Sequence, residues 1–494
     1  MMYRSRPKGE LDSDALDFLS SMQEDKAILG YDILGTEAHV LMLHKQKYLT
    51  AKELKAVLAA LELAKSKPLL IRTEGFEDIH EALEGFVATE AGTEAGGKMH
   101  TARSRNDQVA LDTRMKIRDD INLISSALLD LVEVLIRRAK QNKCTVMLFY
   151  THLQQAQIGT LSHYFLAFAY SLLRDVERLS EAYRRVNRSP LGSCAILGTS
   201  MNIDREFTAR TLGFDGLVVN SLDATSSRDV LLEYASDLTL CMNSISRVAE
   251  DLVLWSSTEF GYIELDDSYS STSSAMPQKK NPDPLEMARA KAGSVIGDCV
   301  SLLAIVKSLP SGYDRDLQEF KQPLFRMSKT VLDTLRVLKG VVDTLQIRHE
   351  RMEESCKNSY AIALDVAERL VSEQGIPFRA AHKIVGAVVN EAISKGHGSL
   401  RGLSEADIKT ALLRARPKEE FDVARIHKVI SEMTPEKSVR SKKSQGSPSP
   451  KEQAAMIDEV SEAQRKQRAA LGSRISLLQE ANANLEKIVA ELTK

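Results

Sequence analysis

The sequence has almost no net charge. Lys and Arg total 66 against 68 for Asp and Glu, which leaves -2 over 494 residues. That balance provides no long-range attraction for nucleic acid or an anionic membrane, although a local basic pocket remains open. Cysteine is sparse as well. Cys144, Cys194, Cys241, Cys299 and Cys356 are widely separated, with no CxxC pair and no nearby histidine cluster. This excludes a disulfide framework and a zinc site, and suits reduced thiols in the cytoplasm. No apolar run approaches the roughly 18 residues of a membrane span. The polar start, Met1 to Asp14, has no signal-peptide pattern. A cytoplasmic protein without a nucleic-acid or membrane partner is expected.

Proline is missing over long stretches. None lies between Pro68 and Pro190, between Pro190 and Pro277, or between Pro323 and Pro377. A proline inside a helix costs about 3 kcal/mol, so these gaps leave room for very long helices. Strand-like alternation is hard to find, and no internal repeat is apparent.

What is present agrees with helices. Ile117, Ile121, Ile124, Leu128, Leu131 and Leu135 form one sustained stripe at helical spacing. Similar patterns cover about 153–188, 225–258, 284–308 and 324–350. The class is all-α, with five long helices packed lengthwise. The expected division is an N-terminal helical unit over 1–104, a long-helix bundle over 105–351 and a C-terminal helical unit over 352–494. The Ser-, Lys- and Pro-rich segment Ser438 to Lys451 reads as a flexible loop. The final helix, with Ile475, Leu478, Leu485, Ile488 and Leu492 at near-heptad spacing, reads as a tail that packs on the body or on another subunit.

The segment from Ser268 to Glu286, SYSSTSSAMPQKKNPDPLE, is the most informative. It is dense in serine, has no apolar anchor before Met276, and is punctuated by Pro277, Pro282 and Pro284. Asp283, Pro284 and Glu286 fit N-cap, N1 and N3 of a following helix. On these residues alone the segment fits two descriptions. It is either a solvated linker or a loop, mobile at one end and pinned at the other, that closes over an anionic substrate.

Five strings in order narrow the choice. SSAMPQKKNP resembles the signature loop of the fumarase/aspartase superfamily, in the QKKNPD form of argininosuccinate lyases. Glu77-Asp78-Ile79-His80 resembles that family's EDIH. Residues 100–108, HTARSRNDQ, resemble its HTGRSRNDQ. Tyr150-Thr151-His152-Leu153-Gln154 resembles YTHLQ, and YDRDLQEFK over 313–321 resembles YNKDLQEDK. Weaker similarity runs through Pro190-Leu191-Gly192-Ser193 and Asn220-Ser221-Leu222-Asp223-Ala224.

The resemblance implies reversible β-elimination of argininosuccinate to arginine and fumarate, the last step of arginine biosynthesis, with no metal or cofactor. It implies a homotetramer whose long helices form a twenty-helix core and whose active sites draw on three subunits. Ser273 matches the base, Lys279 and Asn281 the groups on the reacting carboxylate, and Thr151 and His152 the substrate and catalytic positions. Glu286 matches a carboxylate partner of that histidine, and equally fits a helix N-terminus. Ser104, Arg105 and Asn106 match carboxylate clamps. Asp78 and His80 fall near substrate, Tyr313, Gln318 and Lys321 match residues that grip the arginine half, and Ser21 matches a further contact. The chemistry needs such groups: proton loss beside a carboxylate creates a doubly negative aci-form, which fixed cations and amide donors stabilise.

Several positions depart from the family. Tyr3-Arg4-Ser5-Arg6 replaces a Trp-Gly-Arg-Phe segment, Thr272 a loop glycine, Ser227 an aspartate, Phe320 an acidic residue, Arg315 a lysine and Ile158 a proline. Ser444 to Pro448 matches a glycine-rich loop poorly. Two other functions stay open on sequence alone: an adenylosuccinate-lyase-like enzyme that releases fumarate from another succinyl compound, and a non-catalytic oligomer of the lens-crystallin kind.

Overall fold

The computed structural model describes residues 11–415 and 421–494, so the departure at Tyr3 to Arg6 lies outside the described residues. After a short helical segment at Ser13–Leu19 come helices α1 (Met22–Asp25), α2 (Leu29–Lys45), α3 (Ala51–Ser66) and α4 (Ile79–Ala91). They enclose an aliphatic core that includes Leu43, Leu58, Leu61 and Leu83.

The proline-free stretches then form the bundle: α5 (Arg105–Gln141), α6 (Leu161–Val186), α7 (Asp229–Ser256), α8 (Asp283–Val306) and α9 (Lys321–Thr344). The stripe from Ile117 to Leu135 is buried in its core. Side-chain bonds fix the direction of each helix. Near the start of α5, Arg114 Nη1 donates to the carbonyls of Arg185 and Val186 at the end of α6, at 3.1 and 3.2 Å. Near its end, Arg138 Nη2 donates to the Leu345 carbonyl just past α9 at 2.5 Å. Tyr164 donates to Asp251 at 2.9 Å, Arg185 to Glu233 at 2.6 Å, and Arg326 Nε to Asp298 at 3.0 Å. An Arg289–Glu250 pair joins α8 to α7. The five helices therefore alternate up and down. One end of the bundle gathers the starts of α5, α7 and α9, and the other gathers the starts of α6 and α8.

Residues 146–160 differ from the expectation of a helix beginning near 153. They form an antiparallel hairpin, β1 (Val146–Thr151) with β2 (Gln154–Thr160). Val146, Leu148 and Ile158 on its buried face join a third apolar core with Val366, Leu370, Ile384 and Ile426 from the C-terminal helices. Ile158 pairs with Leu148 in that ladder, which gives an apolar, bond-forming residue a role at the position where the family string led to the expectation of proline.

The segment expected to be a flexible loop is partly helical, α10 (Pro435–Ser441), and its polar groups are engaged. Ser438 is fully buried and donates to Asp365 at 2.6 Å, and Lys442 pairs with the same carboxylate. The last helix, α11 (Pro450–Thr493), packs along the body. Its start meets the hairpin, where Thr160 donates to Gln453 at 3.1 Å. Its far end reaches the first core through Leu485 and Val489, with Lys65 3.2 Å from Glu486. Forty-four residues at 1.5 Å each span about 66 Å, so α11 is a strut along the full bundle.

Candidate active site

The residues singled out in the sequence divide between the two ends of the bundle. At the end where α5 begins, the first turn of α5 faces the first turn of α4. Ser104 caps α5: its Oγ accepts from Asn106 N at 3.3 Å, and Asp107 Oδ1 accepts from Ser104 N at 2.9 Å in return. Asp78 caps α4 by accepting from Glu81 N at 2.7 Å, and its other oxygen lies 3.1 Å from Arg105 Nε. Arg105 Nη1 donates to Gln108 at 2.7 Å, and Gln108 donates to Asp32 at 2.5 Å. Asn106 Nδ2 donates to the Ala195 carbonyl at 2.8 Å. The N-terminus of a long helix carries positive potential, so this corner suits a carboxylate.

His80 lies beneath, with Nδ1 2.9 Å from Asp32 and 3.5 Å from Asp112. Burial would raise the Asp32 carboxyl, but the His80 charge and hydrogen bond, with Arg103 and Gln108, hold it below the usual range. Burial and the Asp32 charge push Asp112 well above it, against Arg103 and Arg105. The ligand atoms of Asp32, His80 and Asp112 lie within 4.8 Å of one another, a spacing that a small cation could bridge. Arg103 lowers both carboxylates, so a fixed positive charge stands beside the pair.

Four further expected residues gather here. Ser21 donates to Asp25 at 2.6 Å, and Lys321 at the start of α9 pairs with that same carboxylate. Burial raises the Tyr313 phenol; Arg228 opposes this, and Asp78 and Asp25 add to it. Gln318 accepts from Arg315 Nε at 3.1 Å, and Arg315 pairs with Glu77. Phe320 is 1% exposed in the bundle core, where an acidic side chain would be stranded.

The opposite end holds the rest. The serine-rich loop is a short hairpin, β3 (Ser271–Thr272) paired with β4 (Lys280–Asn281), so both of its limbs are anchored. Thr272 is extended and needs no glycine conformation. Asn281 Nδ2 donates to Ser271 Oγ at 3.3 Å, and Lys280 lies 2.7 Å from Asp267 and 3.4 Å from Glu264. Beyond that root the tip is exposed. Ser273 Oγ accepts from Met276 N at 3.0 Å and Ala275 N at 3.2 Å. Lys279 is exposed, and Glu286 lies exposed in the first turn of α8.

Thr151, His152 and Leu153 are exposed at the tip of the β1–β2 hairpin. His152 and Leu153 take φ of +56° and +58°, as a two-residue turn of this hand requires. Such turns normally use Asn and Gly, and each L side chain here costs on the order of 1 kcal/mol.

Sequence reasoning missed the buried acids that hold the first group: Asp25, Asp32, Asp107 and Asp112, each fully buried. Asp107 Oδ2 also accepts from Gly192 N and Cys194 N at 2.9 and 2.8 Å, which docks the PLGS loop onto α5. Its place three residues after Ser104 was the available signal, as the second half of a capping box.

Residues 17–297 match the Lyase family, and residues 360–440 match the argininosuccinate lyase C-terminal family. The argininosuccinate lyase of Nitrosopumilus maritimus is 47% identical over 459 residues, 93% of each chain. That of Methanothrix thermoacetophila is 42% identical over 93% of this chain and 92% of its own. Among solved structures, an EDDS lyase variant with bound fumarate is 30% identical, with a TM-score of 0.85, covering 98% of this chain and 97% of that one. The chain belongs to the argininosuccinate lyase family.

Proposed function

We propose that the chain cleaves argininosuccinate to arginine and fumarate by proton abstraction at Ser273, in a cytoplasmic homotetramer whose sites are shared between chains. The observation that carries this reading is the setting of Ser273. An alcohol is a poor base, and its oxygen must be stabilised as an anion. Here two backbone N–H groups point at that oxygen. Donors to the charged form favour it. Once the alkoxide takes the proton beside the substrate carboxylate, negative charge moves onto that carboxylate. Lys279 and Asn281, on the same hairpin, meet it there. The C–N bond then breaks with departure of the guanidinium nitrogen. His152, with Thr151 at the exposed hairpin tip and Glu286 as its carboxylate partner, supplies the leaving-group proton. Ser104, Arg105 and Asn106 clamp carboxylates, Asp78 and His80 line that corner, and Ser21, Tyr313, Gln318 and Lys321 hold the arginine half.

Length supports sharing between chains. The flap directly precedes α8, whereas Tyr313 and Lys321 follow it. The 24 residues of α8 span about 36 Å, too far for one substrate to bridge. A second feature supports assembly. Every exposed residue of α8 from 290 to 304 is uncharged, with Ile296 44%, Val300 59% and Leu303 48% exposed. Gly293 and Gly297 on this helix have open space above them. A second copy of the helix would cover this face.

Fumarate release, followed by ultraviolet absorbance, tests the reading against argininosuccinate, adenylosuccinate, aspartate and malate. Release from argininosuccinate is expected; activity confined to one of the others would overturn it. Ser273→Ala should leave assembly intact and lower turnover by about 10²–10⁴-fold. An unchanged rate removes Ser273 as the base.

A further inference from the structure

Asp25 is the last residue of the four-residue helix α1, and Ser21 is the N-cap of that helix. One helical turn brings the two side chains together, and Ser21 Oγ lies 2.6 Å from Asp25 Oδ2. Lys321, distant in sequence, pairs with Asp25 Oδ1. The acid is fully buried, while Lys321 keeps 2% exposure and Ser21 6%. Ser21 N also donates to the Glu77 carbonyl at 3.2 Å, so the turn is fixed against the start of α4. Asp25 therefore acts on anything in the site through its two partners, not by contact.

The hydrogen-bond inventory gives this arrangement a direction. A carboxylate only accepts, so the Ser21 hydroxyl must spend its single proton on Asp25. What the Ser21 oxygen can offer a ligand is lone pairs. The Lys321 ammonium has three protons, and one is committed to the same acid. What it can offer is N–H. One buried carboxylate thus sorts two neighbouring side chains into an acceptor and a donor. We propose that Asp25 is a positioning residue that makes Ser21 and Lys321 a reader of an ammonium beside a carboxylate, the α-amino-acid end of the arginine half. The proposal rests on the lyase reading above.

The substitution Asp25→Asn reverses part of this sorting. Lys321 can only donate, so it takes the amide oxygen, and the amide NH2 then faces Ser21. The Ser21 oxygen becomes the acceptor and its proton turns outward, against the substrate ammonium. Fumarate lacks an ammonium and does not sense the change.

The test is the reverse reaction, with arginine and fumarate varied separately. Asp25→Asn should raise KM for arginine by about tenfold, equivalent to about 1.4 kcal/mol, and leave KM for fumarate within about twofold. A general structural defect would move both constants or only the amount of active enzyme. Adding Ser21→Ala to Asp25→Asn should change little more, because both act through one hydroxyl. If Asp25→Asn does not fold, Ser21→Ala alone carries the test, since it leaves the Asp25–Lys321 pair in place. An equal rise in both KM values, or an unchanged KM for arginine, overturns the proposal. A wild-type enzyme inactive on argininosuccinate would instead overturn the lyase reading, and the two failures are distinct.

Discussion

The two ends of the bundle are built by opposite rules. At the end where α5 begins, Ser21, Asp78, His80, Arg105 and Lys321 are each tied to a partner within the chain. At the end where α8 begins, Thr151, His152, Lys279 and Glu286 are exposed. The first end is organised before any ligand arrives, because its charges are balanced by buried acids. The second presents the groups of the proposed proton transfer on two hairpins and in the first turn of α8. Groups that bind can be fixed in advance, whereas groups that move a proton must reach a substrate seated elsewhere.

The sharpest break of this comparison is complementation. Ser273→Ala spoils only the flap end and Arg105→Ala only the opposite end, and each variant should be nearly inactive. Dissociated together and reassembled, they should regain activity at about one quarter of the sites, those that draw an intact half from each parent. Fumarate release from the mixture measures this. No recovery would place both halves of a site in one chain.

A smaller effect separates the ends by stability. Asp107→Ala leaves three backbone N–H groups, those of Ser104, Gly192 and Cys194, without their acceptor. The expected loss is about 3 kcal/mol or more, read by denaturant unfolding. Lys280→Ala at the flap root removes only exposed pairs and should cost less than about 1 kcal/mol. Equal losses would show that the two ends do not differ in preorganisation.

The contrast also marks what could be read from the sequence. The bundle was legible because missing prolines and a repeating aliphatic stripe both act along one helix, and the core stripe on α5 lies where its spacing puts it. The hairpin at 146–160 was not, because its turn uses His152 and Leu153 in place of the Asn and Gly that announce such a turn. Motif strings located Ser273, Lys279, Arg105 and Lys321 along the chain. They carried no information on which end of a long helix each would occupy; that depends on the up-and-down path. Asp25, Asp32 and Asp112 were invisible for a different reason. A single aspartate in a helical stretch reads as solvated, and only packing reveals that it is buried beside a cation. Ser438 shows the same failure, since composition suggested a loose loop and Asp365 makes it a buried donor.

The organised end also carries a charge cost with a pH signature. Glu37 on α2 is fully buried, and neither carboxylate oxygen has a hydrogen-bond partner. Burial pushes its carboxyl up from 4.5 to about 8, against Lys65, with Glu62 and Glu486 adding to the rise. Between these values the folded chain holds a proton that the unfolded chain has released. Stability from this group therefore falls as pH rises from 4.5 to about 8 and is level above that. Glu37→Gln should remove the slope and stabilise the protein at pH 8 by about 1–3 kcal/mol. Unfolding curves of both proteins at pH 5 and pH 8 give the difference. A constant gap would mean that Glu37 does not titrate in this window.

The smallest expected effect concerns a residue between the two ends' logics. Ala102 occupies the glycine position of the HTGRSRNDQ string and takes φ of +58°. A Cβ in left-handed backbone costs about 1–2 kcal/mol, and glycine avoids it. Glycine also loses more freedom on folding, by about 0.5–1 kcal/mol, so the net gain from Ala102→Gly is about 0.5–1 kcal/mol. The gain should appear as a higher unfolding midpoint. If the alanine serves only to stiffen the approach to Ser104 and Arg105, the same variant should raise KM for argininosuccinate while leaving turnover unchanged. A midpoint that falls would mean that the unfolded chain's entropy outweighs the strain, and that preorganisation of this corner depends on the alanine itself.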